Sequence, residues 1–199
     1  MGARLAQAAV SRGYRVAVVS GPIHEPLPAQ ARVIRVERTE EMGRALRRET
    51  VRADVVIMAA AVADFRPARP SATKLTRRGR LRLELTATPD LIAQLPRRSG
   101  QLVVGFALET DSVLQRARRK LTEKRLDLVV AQQAARTARG GIGGSDSPFG
   151  DRPVRAWLLS RDGSVRSLGR RSKAAIAGAL LDKIEALWYG QHTSSLRRQ

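Results

Sequence analysis

Apolar positions along this chain switch repeatedly between a helical period and a strand period. That alternation predicts an α/β domain, a Rossmann-like, mainly parallel sheet flanked by helices. Leu5, Ala8 and Ala9 share one face of a helix expected over 2–12, which Gly13 stops. A short buried strand follows over 15–20 (RVAVVS), closed by Gly21 and Pro22, and another is expected over 33–36. Thr39 stands where a cap would start a helix reaching about residue 51. Glu40 and Glu41 fall in its first turn, where carboxylates suit the helix dipole. The most apolar stretch, 54–61 (DVVIMAAA), predicts a central strand.

Residues 66–79 break the pattern. They are rich in Pro, Arg and Ser and carry no apolar period, which predicts a long mobile loop of the kind that serves as a flap. Residues 81–85 alternate as a strand, and Thr88, Pro89 and Asp90 read as a helix start with Pro at its first position. Strands over 101–106 and 127–130 flank a helix over about 111–124. A Gly/Ser-rich loop at 134–153 leads into a small hairpin over 155–168, turning at Asp162 and Gly163. Residues 173–188 form the final amphipathic helix, so one domain over 1–189 is expected, with a disordered polar tail at 190–199. The first element is a helix. In nucleotide-binding α/β units a strand and a Gly-rich turn come before it, so a leading strand and phosphate loop are expected to be absent from this chain.

Composition narrows the chemistry. The chain has 199 residues and is 43% hydrophobic, enough for a packed core, and no apolar run is long enough to span a membrane. It has no Cys, which removes disulfides, thiolate nucleophiles and zinc-thiolate sites and fits a reducing, cytoplasmic setting. His24 and His192 are too few for a histidine metal cluster. The net charge of +19 and a pI near 11.7 raise nucleic acid as a partner. Yet only Lys74, Lys120, Lys124, Lys173 and Lys183 among the 37 basic residues are lysine, and the arginines are scattered. With aromatics at 4%, little is available to stack on bases. A solvated arginine surface that attracts small anions is the better reading.

The few remaining candidates point to an anion-binding site. Asp64 follows the strongest strand, at the carboxyl end where parallel sheets bind ligands. It suits Mg²⁺, a ribose or a base, and equally a plain loop cap. Lys74 is the one lysine of the flap loop, placed to close over phosphates or simply to be solvated. Lys120 and Lys124 lie one helical turn apart, as phosphate contacts or as an exposed flank. Phe106, beside Gly105, can pack on a base or in the core. There is no G-x-G-x-x-G, P-loop or serine or cysteine nucleophile motif.

These segments, in order, resemble the phosphopantothenate–cysteine ligase family, the carboxyl-terminal half of the bacterial bifunctional coenzyme A biosynthesis flavoprotein. The likeness rests on Ser20-Gly21-Pro22, Ala60-Ala61-Val62-Ala63-Asp64, Lys74-Leu75, Pro89-Asp90-Leu91-Ile92, Val104-Gly105-Phe106-Ala107, Glu109-Thr110, and Lys120 with Lys124. It implies a ligase in which CTP activates 4′-phosphopantothenate as an acyl-cytidylate and the amine of cysteine then displaces CMP. It implies Mg²⁺ as cofactor, a homodimer, a decarboxylase domain on a fused or separate chain, and no FMN in this domain. Met58, Ala59, Ala60, Asp64, Pro89, Asp90, Leu91, Ile92 and Phe106 would line the CTP site. Lys74, Lys120 and Lys124 would meet its phosphates, with Lys74 catalytic. The family's first strand, its Gly/Ser-rich loop and an asparagine of the second half-reaction would precede Met1. Ala131-Gln132-Gln133 stands where the family often has Ala-Asn-Asp. The competing readings are a nicotinamide-dependent oxidoreductase, which would need a glycine fingerprint, a basic nucleic-acid-binding protein, and a non-catalytic remnant.

Overall fold

A computed structural model describes residues 1–77, 79–134 and 152–196. In chain order these form α1 (Gly2–Ser11), β1 (Ala17–Ser20), β2 (Arg32–Arg35), α2 (Thr39–Thr50), β3 (Val55–Met58), β4 (Phe65–Pro67) and β5 (Leu85–Ala87). Then come β6 (Leu102–Glu109), α3 (Val113–Glu123), β7 (Leu128–Gln133), β8 (Val154–Ser160), β9 (Val165–Arg171) and α4 (Lys173–Leu196). The main sheet has the order β3-β6-β7-β8-β9. Its first three strands are parallel, and β8 and β9 close it as an antiparallel hairpin. β1 and β2 form a separate parallel pair, and β4 with β5 form an antiparallel ribbon.

Strand β6 is the spine. A parallel strand covered on both faces needs apolar side chains at successive positions, and LVVGFALE supplies them. Leu102 and Val104 enter one core with Leu5 of α1 and Ile176 and Leu180 of α4. Val103 and Ala107 enter the other, with Ala117 and Leu121 of α3 and Leu126. Asp127 locks the start of β7 to β6: its carboxylate accepts the Val103 N–H at 2.7 Å and pairs with Arg161 at 3.1 Å. Arg12 ties α1 to α4 through Asp182 at 2.7 Å and Glu185 at 2.9 Å.

Local differences from the sequence reading have local causes. Helix α2 is closed by Glu41, whose carboxylate accepts the N–H groups of Glu37 and Arg38, not by Thr39. Pro89 and Asp90 start only a turn over 91–94, because Pro96 lacks the N–H needed to extend it. The strand expected over 81–85 begins only at Leu85, where pairing with β4 becomes possible. β4 itself forms inside the segment expected to be irregular. The central strand stops at Met58, short of Ala61. Helix α4 continues past Trp188 to Leu196. Most of the Gly/Ser-rich loop, 135–151, and residues 197–199 lie outside the described residues.

Gly105 is the tightest point. A Cβ there would lie 2.6 Å from Cδ1 of the fully buried Leu126, and a close-packed core gives way only at a cost. Gly105→Ala should lower stability by about 1–3 kcal/mol, read as a shift of the urea midpoint at unchanged m-value. Adding Leu126→Val should recover part of that loss, because the two side chains compete for one space. Additive losses would show that the contact is not the cause.

Candidate functional site

The site is built where β3 leaves the sheet. β3 pairs with β6 from Val55 to Met58, opposite Leu102 to Gly105, while β6 runs on to Glu109. Past Gly105 no strand among the described residues pairs with that edge of β6, and its next carbonyl, on Phe106, is taken by the Lys120 ammonium. Lys120 arrives there because α3 returns antiparallel over β6 and buries Val113, Ala117 and Leu121, leaving Lys120 on its flank.

Lys124 caps the C-terminal end of α3, where positive charge suits the dipole. Its Nζ reaches Asp90 Oδ2 at 2.8 Å. Asp90 is fixed in turn by the Ala93 N–H, which donates to Oδ1 at 3.2 Å. Leu91 and Ile92 are buried beneath this turn. The two lysines, Asp90 and Phe106 therefore converge on one place, with Met58, Ala59 and Ala60 leaving the sheet beside it.

Asp64 begins the flap. Its carbonyl accepts the Thr88 N–H at 2.9 Å, and the Thr88 hydroxyl donates to the Ala63 carbonyl. Thr88 thus pins the chain between Ala63 and Asp64 onto the ribbon, a role that its place in a Thr-Pro-Asp helix-start pattern concealed. Lys74 lies in the exposed stretch between β4 and β5. Among the described residues, no hydrogen bond or ion pair joins it to Asp64, Lys120 or Lys124. Glu109, which sequence reading passed over except as part of a motif, adds a carboxylate near the lysines and pairs with Arg116 at 3.5 Å.

Electrostatics separate the two lysines. Burial pushes the Lys120 ammonium below its usual value and the neighbouring Lys124 charge adds to this, against weaker support from Glu109, Asp90 and Asp64. Burial alone would raise the Asp90 carboxyl. The Lys124 ammonium and the Ala93 and Ile92 N–H groups outweigh it and hold Asp90 below the ordinary carboxylate range. The site can hold a polyanion: two converging cations, one kept partly desolvated, at the open end of a parallel sheet. Among the described residues no group of three His, Cys, Asp or Glu is placed to hold a metal ion by protein atoms alone.

The depressed Lys120 value fixes a sign. Below both its folded and unfolded values, the folded state carries the full cost of a partly buried cation. Between the lowered folded value and the ordinary 10.5, the unfolded chain binds more protons, so stability gains with rising pH. The stability of the wild-type chain relative to Lys120→Met should therefore increase across that alkaline window, measured by urea titration at a series of pH values. A flat or falling difference would contradict the burial of this ammonium.

The chain matches the "DNA/pantothenate metabolism flavoprotein C-terminal domain" family over residues 1–187. It is 36% identical over 190 residues to the coenzyme A biosynthesis bifunctional protein CoaBC of Bacillus subtilis, covering 94% of this chain and 45% of that one. A cysteine/cysteine sulfinic acid decarboxylase from an unknown prokaryotic organism is 33% identical over 191 residues, covering 94% of this chain and 51% of the other. The chain thus spans about half the length of the curated relatives it matches. Among solved structures, the C-terminal domain of a coenzyme A biosynthesis bifunctional protein CoaBC superposes with a TM-score of 0.73 at 29% identity, over 94% of this chain and 81% of that one. These matches confirm the Rossmann-like architecture expected from the sequence, and the chain belongs to the DNA/pantothenate metabolism flavoprotein C-terminal domain family.

Proposed function

We propose that this domain acts in coenzyme A biosynthesis as a CTP-dependent phosphopantothenate–cysteine ligase. The observation that carries this reading is the convergence of Lys120, Lys124 and Asp90 at the carboxyl end of β3 and β6, in a chain similar to the C-terminal half of coenzyme A biosynthesis proteins.

In the first step a carboxylate oxygen of 4′-phosphopantothenate attacks the α-phosphorus of CTP. The bond to the bridging oxygen breaks and pyrophosphate leaves, giving an acyl-cytidylate. The amine of cysteine then attacks the acyl carbon. The new C–N bond replaces the C–O bond, CMP departs, and the amine proton passes to solvent. Lys120 and Lys124 bind the triphosphate and offset the charge that grows on the leaving group. Lys74, on an exposed segment, closes over the same phosphates and limits access of water to the acyl-nucleotide. Met58, Ala59, Ala60, Pro89, Leu91, Ile92 and Phe106 form the apolar and main-chain wall for the nucleoside. Asp64 and Asp90 serve as acceptors for its polar groups.

Mg²⁺ suits this site as a partner of the triphosphate, since this ion is commonly held by phosphates with only one or two carboxylates; it would supply charge neutralisation. Asp64 would be the carboxylate that meets it. A homodimer is proposed as well, supported by the exposed apolar side chains of Phe65, Leu75, Leu81, Leu83 and Leu85 on the ribbon and its connection. The reaction is proposed to be cytoplasmic; among the described residues no helix is long and apolar enough to cross a membrane.

Pyrophosphate release should require CTP, 4′-phosphopantothenate and Mg²⁺ but not cysteine, and CMP release should require cysteine. Lys74→Ala should slow pyrophosphate release by roughly 10²-fold while leaving the melting temperature unchanged. Lys124→Ala should chiefly raise the KM for CTP. Equal turnover in a stable Lys74→Ala variant would remove that residue from the mechanism. Stabilisation of the folded chain by NAD(H) but not by CTP would instead favour the oxidoreductase reading.

A further inference from the structure

Three lysines and two aspartates are assigned above to the nucleotide. Among the described residues only Lys124 and Asp90 of these five form an ion pair with each other, Nζ to Oδ2 at 2.8 Å. Each partner is therefore occupied before a ligand arrives. A phosphate must compete with Asp90 for the Lys124 ammonium, and a ligand donor must compete with Lys124 for the Asp90 carboxylate.

The two partners differ in how firmly they are held. Asp90 is anchored independently of Lys124: the Ala93 N–H donates to Oδ1 at 3.2 Å, and the Gln94 N–H donates to the Asp90 carbonyl at 3.2 Å. Leu91 and Ile92, next in the chain, are buried and fix the turn. Lys124 is fixed at its main chain. Its N–H donates to the Lys120 carbonyl at 3.1 Å, and its own carbonyl accepts from Arg97 at 3.4 Å. Its charge, however, rides on a flexible four-carbon stem, one helical turn beyond Lys120. Lys124 can thus swing from Asp90 to a phosphate already met by Lys120, while Asp90 stays where it is. The swing leaves Oδ2 charged and without its cation.

We propose that the Asp90–Lys124 ion pair couples recognition of the two ends of the nucleotide: the polyphosphate draws Lys124 away from Asp90, and a hydroxyl or amino donor of the nucleoside takes its place at Oδ2. This rests on the nucleotide site proposed above. A nucleoside alone, or a polyphosphate alone, breaks the same ion pair and leaves one partner bare. The whole nucleotide breaks it once and satisfies both, so each end binds better when the other is present. Lys120 strengthens the coupling. It is already disfavoured by burial and by the Lys124 charge beside it, so Lys124 leaves its counter-ion readily only when an anion reaches both lysines. The effect is moderate in size, because the Lys124 and Asp90 side chains are 29% and 41% exposed and water screens the pair. Asp90 and Lys124 are thereby specificity-determining: together they favour a nucleoside joined to a polyphosphate over either part by itself.

The test is a calorimetric titration of the chain with inorganic tripolyphosphate, with and without saturating cytidine, and the reverse titration. Cytidine is uncharged, so it does not attract the polyphosphate directly. In the wild-type chain cytidine should tighten tripolyphosphate binding roughly fivefold, and tripolyphosphate should tighten cytidine binding by the same factor. Asp90→Asn keeps an acceptor for the Ala93 N–H but removes the charge that holds Lys124. It should bind tripolyphosphate alone more tightly than wild type, with the coupling factor reduced to about one. Lys124→Met, which removes the other half of the pair, should abolish the coupling as well. Independent binding of the two fragments to the wild-type chain would overturn the proposal. So would a coupling factor unchanged in both variants, since a purely structural Asp90 would weaken both fragments and leave their coupling intact. If neither fragment binds the folded wild-type chain, the nucleotide site itself is wrong and the coupling falls with it. None of these readouts depends on ligase activity.

Discussion

Strand β3 ends its pairing at Met58 while β6 continues to Glu109, and the candidate site follows from that mismatch. An unpaired main-chain carbonyl in a partly covered place must find a donor. With no strand among the described residues beside it, the Phe106 carbonyl is met by the Lys120 ammonium. Thus the gap in the sheet both opens room for a ligand and draws a cation into it. A lysine serves better here than an arginine. Its compact charge on a flexible stem reaches a single oxygen and can turn to a second acceptor. The negative charge of an incoming phosphate would also offset the burial and the like charge that now depress Lys120.

The large positive charge of the chain has a different character away from this place. Arg12, Arg32, Arg98 and Arg116 are each engaged with carboxylates on neighbouring elements. Such exposed pairs contribute little individually. Each of these four arginines is thereby tied to a carboxylate within the fold. The diffuse field attracts anions of any kind, and selection is left to the few groups with fixed geometry at the end of β6.

How much of this was legible beforehand depended on range. The spine strand, expected over 101–106 and running on to Glu109, the helix that returns over it, and the hairpin at Asp162 and Gly163 were written in local periodicity. The parallel sheet followed from their alternation. The pairing of Lys124 with Asp90 was not legible, because the two meet only through packing of α3 beside the turn over 91–94. That turn was misread as a helix start, since Thr88-Pro89-Asp90 carries the right local signals and the limit set by Pro96 acts from beyond them. Thr88 spends its hydroxyl on Ala63, a partner far away in sequence. The strand at Leu85–Ala87 was displaced for the same reason: alternation over 81–85 was real, but a strand needs a neighbour, and β4 offers one only from Leu85 onward.

The turn over 91–94 also explains why the site and the two-sheet architecture belong to one problem. An isolated pair of strands such as β1 and β2 has marginal stability, and here it leans on α2. Leu91 enters that small core with Val36, Met42 and Ala45, against which Val19, Ile34, Met58 and Val62 pack. Its neighbour Ile92 enters the larger core with Val56, Val103 and Leu126. Two adjacent residues thus hold the two sheets to each other, and the residue before them, Asp90, carries the salt bridge to Lys124. A ligand that displaced Asp90 from Lys124 would act on the same short turn that couples the two cores. Asp90, Leu91 and Ile92 are thus one short stretch in which the salt bridge to Lys124 adjoins the packing of both cores.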